Sequence, residues 1–204
     1  MKIFCIGRNY TDHIEELSNE SPAEPVIFLK PETAILNESQ GFYIPDFSEN
    51  IQYEVELLVK INRMGKYIQP KFAYKYYNQI GLGIDFTARD LQQSLKEKGL
   101  PWEKSKAFDG SALVGKKWID VKEFEDLQKI KFSLLKNGQK VQQGHSAQMI
   151  WKINELIAEI SKFFTLKVGD IIFTGTPAGV GKLERGDKLE GFIEEISIFK
   201  VDIK

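Results

Sequence analysis

Tyr53-Glu54-Val55-Glu56-Leu57-Leu58-Val59-Lys60-Ile61 reads as a β-strand, rich in β-branched and apolar residues. Side chains on extended backbone alternate between two faces, so Gln52, Glu54 and Glu56 fall on one face and Tyr53, Val55 and Leu57 on the other. The two acids are therefore neighbours by geometry. Like charges this close repel unless water or a cation lies between them, and an oxygen-rich pair suits Mg2+ or Mn2+ better than a soft metal. For the spacing alone, a solvated outer face is the commoner reading.

Further strands flank this one. Lys2 to Ile6 reads as a short strand followed by the turn Gly7-Arg8-Asn9-Tyr10, then a helical turn opened by Asp12 as its N-cap. His13 and Glu16, three apart, share one face of that turn. Pro25 to Leu29 is a strand stopped by Lys30-Pro31. Ile80 to Asp85 runs into Thr87-Ala88-Arg89-Asp90-Leu91, which places Asp85 at a strand-to-helix junction. Asn137-Gly138, between alternating segments, predicts a hairpin with a type I′ turn. Met149, Ile150, Ile153, Leu156, Ile157, Ile160, Phe163 and Phe164 recur at helical spacing, which predicts a helix over Ala147 to Phe164 packed on a sheet. Ile171 to Thr174 and Lys188 to Ile203 read as strands, the latter alternating through Ile196 and Ile198 and then through Phe199, Val201 and Ile203. Mixed strands with few helices make the class α+β.

Composition narrows the function. The chain has 204 residues, 42% of them hydrophobic, enough for one domain with a substantial core and no visible linker or repeat. Lys+Arg 28 against Asp+Glu 29 offers no electrostatic case for nucleic acid or an anionic membrane surface. A single cysteine, Cys5, rules out an internal disulfide and points to a reducing cytoplasm, and the amino-terminal apolar run is too short for a signal peptide or a span. Only His13 and His145 are available, so a metal site here must rest mainly on carboxylates.

Several residues have bland readings in isolation. Asp85 can be a helix cap, Glu16 a solvated acid, Lys106 a surface lysine, and Arg89 and Gln92 ordinary polar helix positions. His145 and Ser146, a potential N-cap for the long helix, receive no catalytic role. The loop Gly175-Thr176-Pro177-Ala178-Gly179-Val180-Gly181-Lys182 invites a nucleotide-binding reading that fails on spacing. A phosphate loop needs glycine where Thr176 stands and Ser or Thr where Leu183 stands. Glu184-Arg185-Gly186-Asp187 then reads as a turn rather than a helix.

Taken in order, these segments resemble the fumarylacetoacetate hydrolase superfamily, and within it the single-domain acylpyruvase and oxaloacetate decarboxylase branch. The landmarks are Gly7-Arg8-Asn9-Tyr10 with Asp12-His13, Phe28-Leu29-Lys30-Pro31, Tyr53 to Leu57, Asp85-Phe86-Thr87-Ala88-Arg89-Asp90, Lys98-Gly99-Leu100-Pro101-Trp102, and Gly169 to Gly181. The resemblance implies a mixed β-sandwich roll over residues 1–204, with residues 8–24 as a lid, assembled as a homodimer. It implies that Glu54, Glu56 and Asp85 bind Mg2+ or Mn2+, that His13 and Glu16 form a water-activating dyad, and that Lys106 is the active-site lysine. It also implies that Arg89, Gln92 and Thr176 line the substrate pocket. Gln52 departs from the pattern, since many relatives carry histidine there.

The activity implied is cleavage of the carbon-carbon bond of acylpyruvate-type 2,4-dioxo acids. Three carboxylates leave open positions on an octahedral cation for a small 2-oxo acid. Glu16 would orient His13 to deprotonate water, and Lys106 would stabilise developing negative charge. The same site would serve oxaloacetate decarboxylation, keto-enol isomerisation or 2-hydroxyhepta-2,4-diene-1,7-dioate isomerisation. A protein of another class, one that binds metal or ligand without turnover, is the remaining alternative.

Overall fold

A computed structural model of the chain describes every residue except 17–21 and 37. Part of the lid expected over residues 8–24 therefore lies outside the described residues. The amino-terminal half contains β1 (Ile3–Gly7), α1 (Thr11–Glu16), β2 (Val26–Lys30), β3 (Ile35–Leu36), β4 (Ile51–Tyr53), β5 (Val55–Ile61) and β6 (Tyr77–Asp85). Then come β7 (Thr87–Ala88), α2 (Arg89–Glu97), α3 (Glu103–Lys106), β8 (Ala112–Val114), β9 (Ile119–Asp120), β10 (Lys131–Lys136) and β11 (Gln139–His145). The remainder is α4 (Ile153–Phe163), β12 (Ile171–Phe173), β13 (Gly181–Lys182), β14 (Lys188–Ile193) and β15 (Ile196–Asp202).

Among the described residues the strands form three sheets, giving an α+β architecture dominated by β structure. The largest runs β2-β1-β12-β5-β6-β8-β3, with β9 also on β6. A second runs β11-β10-β14-β15, and a small third runs β13-β4-β7. The long antiparallel pair β5 and β6 lies at the centre of the first sheet and has apolar matter on both faces. Val55, Leu57 and Val59 enter the main core. Leu58 enters a smaller cluster with Ile3, Cys5, Ala34, Ala112, Ile171 and Phe173 on the other side. The alternation read from the sequence survives, but neither face is the solvated one.

Two turns behave as their residues demand. Asn137 and Gly138 have φ of 54° and 80°, the pair of positive values a type I′ turn requires, and β10 and β11 pair antiparallel across it. The change of phase between Ile198 and Phe199 is a β-bulge: Gly191 pairs with Phe199 but Phe192 with Ser197, so one extra residue reverses the faces from there on.

Three local expectations are corrected. The stretch from Tyr53 to Ile61 is not one strand: it breaks at Glu54, with β4 in the small sheet and β5 in the large one. The helix after Asp85 begins only at Arg89, because Thr87 and Ala88 first pair with Gln52 and Ile51. The long helix starts at Ile153 rather than Ala147. Asn9 takes the backbone away from it, its carbonyl accepting from Ile150 N (2.9 Å) and its Oδ1 from Trp151 N (2.8 Å). Upstream, His145 rather than Ser146 caps a separate 3-10 turn, while Ser146 Oγ accepts from Ile130 N. The apolar face of α4 lies against the 3-10 segment Pro70–Tyr76.

Asn9 is fully buried and also donates through Nδ2 to the carbonyls of Thr174 (2.7 Å) and Trp151 (3.1 Å). Asn9→Ala strands these partners away from water. It is expected to destabilise the fold by about 2–4 kcal/mol in urea unfolding, whereas a loss below about 1 kcal/mol would show the clamp to be dispensable.

Candidate active site

The register of the central pair assembles the acids. Val55 pairs with Ile84 and Glu56 with Gly83, and Asp85 N donates to the Glu54 carbonyl (2.9 Å), so Glu54, Glu56 and Asp85 meet on one side of the sheet. All three are buried, and each offers an oxygen within 4.8 Å of those of the others. Three buried carboxylates cannot stand so close without positive charge among them.

Protein cations supply part of it. Lys106, at the end of α3, donates through Nζ to Glu54 Oε2 (2.8 Å), Asp85 Oδ2 (2.8 Å) and Thr87 Oγ1 (2.6 Å). Arg89, at the start of α2, pairs with Glu54 through Nη2, donates through Nη1 to Gln92 (2.5 Å) and through Nε to Gln52 Oε1 (2.8 Å). Gln52 thus orients the arginine. Burial opposes ionisation of Glu54, but Lys106 and Arg89 outweigh it and hold the carboxyl well below the usual range. Burial likewise opposes the Lys106 ammonium, which Asp85 and Glu54 nonetheless raise above its ordinary value.

Glu56 differs. It accepts from Gly175 N (2.6 Å to Oε2), and burial, then repulsion by Asp85 and Glu54, push its carboxyl well above the usual range. Asp85 Oδ1 is buried with no hydrogen-bond donor, although Lys30 Nζ is 2.7 Å away. Lys30 directs its N–H groups to the Lys106 carbonyl and to the carbonyl and Oγ of Ser111 instead. An undonated oxygen on Asp85 and an acid without a cation on Glu56 are what a hard divalent cation would satisfy, so the donor set fits one.

The glycine-rich loop serves this cluster rather than a phosphate. Gly175 has φ of 99°, and a Cβ there would lie 2.7 Å from Asn9 Cβ, so only glycine brings its N–H onto Glu56. Gly179, with φ of 100°, presents its N–H to Glu16 Oε1 (3.0 Å). Glu16 Oε2 shares a hydrogen bond with His13 Nδ1 (3.2 Å). His13 is buried; burial lowers its pKa, against the raising influence of Glu54 and of the hydrogen bond to Glu16.

All of the expected residues except Glu16 line one pocket: His13, Glu54, Glu56, Asp85, Arg89, Gln92, Lys106 and Thr176, around a space of about 40 Å³. Glu16 reaches it through His13. Several residues escaped the sequence reading. Lys30 reads from the sequence as a strand stop, yet a lysine closing the apolar run Val26-Ile27-Phe28-Leu29 is a signal that its charge is held inside. Gln142, on the β10–β11 hairpin, is buried, accepts from Val55 N (2.9 Å) and donates to Thr176 Oγ1 (2.9 Å), tying loop to strand. Nothing local in the sequence marks it. Arg8 and Lys96 also line the pocket.

The family model described as fumarylacetoacetate (FAA) hydrolase C-terminal matches residues 2–204. The chain belongs to the fumarylacetoacetate hydrolase family. Oxaloacetate tautomerase YcgM of Escherichia coli (strain K12) is 45% identical over 189 residues, covering 92% of this chain and 86% of that protein. The mitochondrial oxaloacetate tautomerase FAHD1 of Homo sapiens is 38% identical over 202 residues, 98% of this chain and 91% of that one. The crystal structure of fumarylpyruvate hydrolase from Pseudomonas aeruginosa in complex with Mn2+ and pyruvate superposes with a TM-score of 0.92 at 34% identity, covering 100% of this chain and 89% of that one. Among the described residues, no helix is long and apolar enough to cross a membrane.

Proposed function

We propose that this chain is a divalent-metal-dependent enzyme of small 2-oxo acids that moves a proton at the carbon beside the keto group, interconverting the keto and enol forms of oxaloacetate. The observation that carries the reading is the His13–Glu16 pair held at the same small pocket as the acid triad and Lys106. Likeness to two oxaloacetate tautomerases supports the choice of reaction. The homodimeric assembly implied by the resemblance and the cytoplasmic setting to which the single cysteine points belong to the same proposal.

Glu54, Glu56 and Asp85 would hold Mg2+ or Mn2+, which when bound supplies Lewis-acid polarisation of the substrate's carboxylate and keto oxygens. His13, neutral near pH 7 because burial lowers its pKa, takes the proton from carbon and returns it. Glu16 engages Nδ1, leaving Nε2 as the nitrogen that carries the proton. Lys106, kept as an ammonium, donates to an oxygen on which negative charge grows. Arg89 and Gln92 orient the acid, and Thr176 lines the wall.

Acylpyruvate hydrolysis is the second reading, favoured by likeness to the fumarylpyruvate hydrolase and by the same dyad. His13 would then deprotonate water for attack on the distal carbonyl, and pyruvate would leave. Oxaloacetate decarboxylation needs no attacking water and would lean less on the dyad.

The test is a panel of oxaloacetate, acetylpyruvate and fumarylpyruvate, each with Mg2+, with Mn2+ and with chelator. Expected is metal-dependent disappearance of the enol absorbance of oxaloacetate, abolished by chelator. Carbon-carbon cleavage of the acylpyruvates with no effect on oxaloacetate would hand the site to hydrolysis. Metal binding without turnover of any of them would favour the non-catalytic binding protein.

A further inference from the structure

At Glu54 the chain crosses from the small sheet to the large one, and Val55 separates the two glutamates of the acid triad. One edge of Val55 faces Ile84 of β6. On the other edge β12 pairs with β5 at Leu58, Val59 and Lys60, and Thr174 ends the ladder by donating to the Leu57 carbonyl through N (3.1 Å) and Oγ1 (3.0 Å). The chain then turns away at Gly175, so side chains rather than a strand meet the outward N–H and C=O of Val55. Gln142 Oε1 accepts from Val55 N (2.9 Å), and Thr176 Oγ1 donates to the Val55 carbonyl (2.9 Å). Gln142 Nε2 donates in turn to Thr176 Oγ1 (2.9 Å) and to the Pro177 carbonyl (2.9 Å). A hydroxyl has one hydrogen, and that of Thr176 is committed to Val55.

We propose that Gln142 is a positioning residue for both halves of the site, acting through Val55 and the glycine-rich loop. Its metal half rests on the reading of Glu54, Glu56 and Asp85 as a divalent-cation site. The Val55 N–H belongs to the peptide plane shared with Glu54, and its C=O to the plane shared with Glu56. Gln142 and Thr176 therefore fix both planar units that join the two acids, and with them the directions in which the carboxylates leave the backbone. Gln142 stands in the second sheet beside a β-bulge: Leu134 pairs with Gln142 but Leu135 with Lys140, so Val141 is the extra residue. Gly179 packs on that bulge, since a Cβ there would lie 2.3 Å from the Val141 carbonyl oxygen and 3.4 Å from Gln142 Cγ. The loop carried by Gln142 thus brings Gly175 N to Glu56 at one end and Gly179 N to Glu16 at the other. One buried amide from a different sheet sets the acid pair and the support of the His13–Glu16 dyad together.

Gln142→Met removes the amide with little change of bulk, and Thr176→Val removes the hydroxyl that links Gln142 to the Val55 carbonyl. Each is expected to lower calorimetric Mn2+ affinity by about 10- to 100-fold, the range for loss of an outer partner of a metal ligand. The double variant is expected to lose no more than about threefold beyond the weaker single variant, because both break one connected set of hydrogen bonds. In the metal-free Gln142→Met protein the Gly175 amide should exchange its hydrogen at least about tenfold faster than in wild type, while the amides of α4 keep their rates. A residue that only stabilises the fold would speed all of these amides alike and leave the Mn2+ affinity of the folded protein unchanged. Mn2+ binding by Gln142→Met within about threefold of wild type, or uniform acceleration of exchange, overturns the proposal. Where Gln142→Met does not fold, Thr176→Val gives both readings. Wild-type protein that binds no Mn2+ defeats the metal reading, and exchange at Gly175 still decides whether Gln142 positions the loop.

Discussion

Glu56→Gln is expected to lower Mn2+ affinity by more than about 100-fold, beyond the 10- to 100-fold that loss of an outer partner of a metal ligand costs, while leaving the metal-free protein as stable as before or more so. Both halves follow from its surroundings. Glu56 accepts from Gly175 N, and the burial and repulsion that raise its pKa make its charge a burden to the metal-free fold. An uncharged amide relieves that burden and still accepts from Gly175. Asp85→Asn is expected to lose the metal equally but to behave oppositely in stability. Asp85 is the counter-ion 2.7 Å from Lys30 and 2.8 Å from Lys106, both buried, and a neutral side chain leaves those ammonium groups under-compensated at a cost of about 3–5 kcal/mol. Calorimetric titration with Mn2+ and urea unfolding of the metal-free proteins separate the two. A Glu56→Gln protein binding Mn2+ within about threefold of wild type would remove Glu56 from the ligand set.

His13→Ala is expected to reduce kcat for enol-keto interconversion by about 100- to 10,000-fold, the range a positioned general base contributes. The pH profile carries more information than the loss. Burial disfavours imidazolium, so the folded-state pKa of His13 lies below histidine's ordinary 6.5. The residue is the neutral base at pH 7, and activity should fall only as pH drops through that lowered value. Glu16 acts on the same equilibrium in the other direction, since its hydrogen bond and its charge both favour imidazolium. Glu16→Gln removes that support, so the acidic limb of kcat/KM should move to still lower pH while kcat falls from loss of orientation. A limb moving upward, or an acidic limb unchanged in His13→Ala, would show that another group is titrating. Decarboxylation of oxaloacetate should lose much less in His13→Ala, since loss of carbon dioxide requires no base to remove a proton from carbon.

How much of the site was legible depended on whether a residue's partners are near it in the chain. His13 and Glu16, one helical turn apart, could be paired from spacing, and the 3.2 Å contact follows from that geometry. Glu54 and Glu56 could be placed on one face because side chains alternate every second residue. Their burial could not, because polar strand faces read as solvated until the sheet neighbours that cover them are known. Lys30 and Gln142 were missed for the same reason, the first 55 residues from Asp85 in sequence and the second 87 from Val55. The amino end of the long helix was misjudged because apolar periodicity continues through Met149 and Ile150, while the groups that take their backbone away belong to Asn9.

By itself, then, the sequence determined what is periodic or local: the α+β class, the hairpin at Asn137-Gly138, the shared face of the two glutamates, the failure of the glycine loop as a phosphate cradle, and, through the order of its landmarks, the family. Only the tertiary structure decided that both faces of the central strand are covered, that the three acids are buried together, that Lys30 stands beside Lys106 against Asp85, and that Gln142 ties the glycine-rich loop to the central strand. The physical reason is that the cost of a buried charge depends on which distant segments close over it, and that is set by sheet order and register, which no window of neighbouring residues contains.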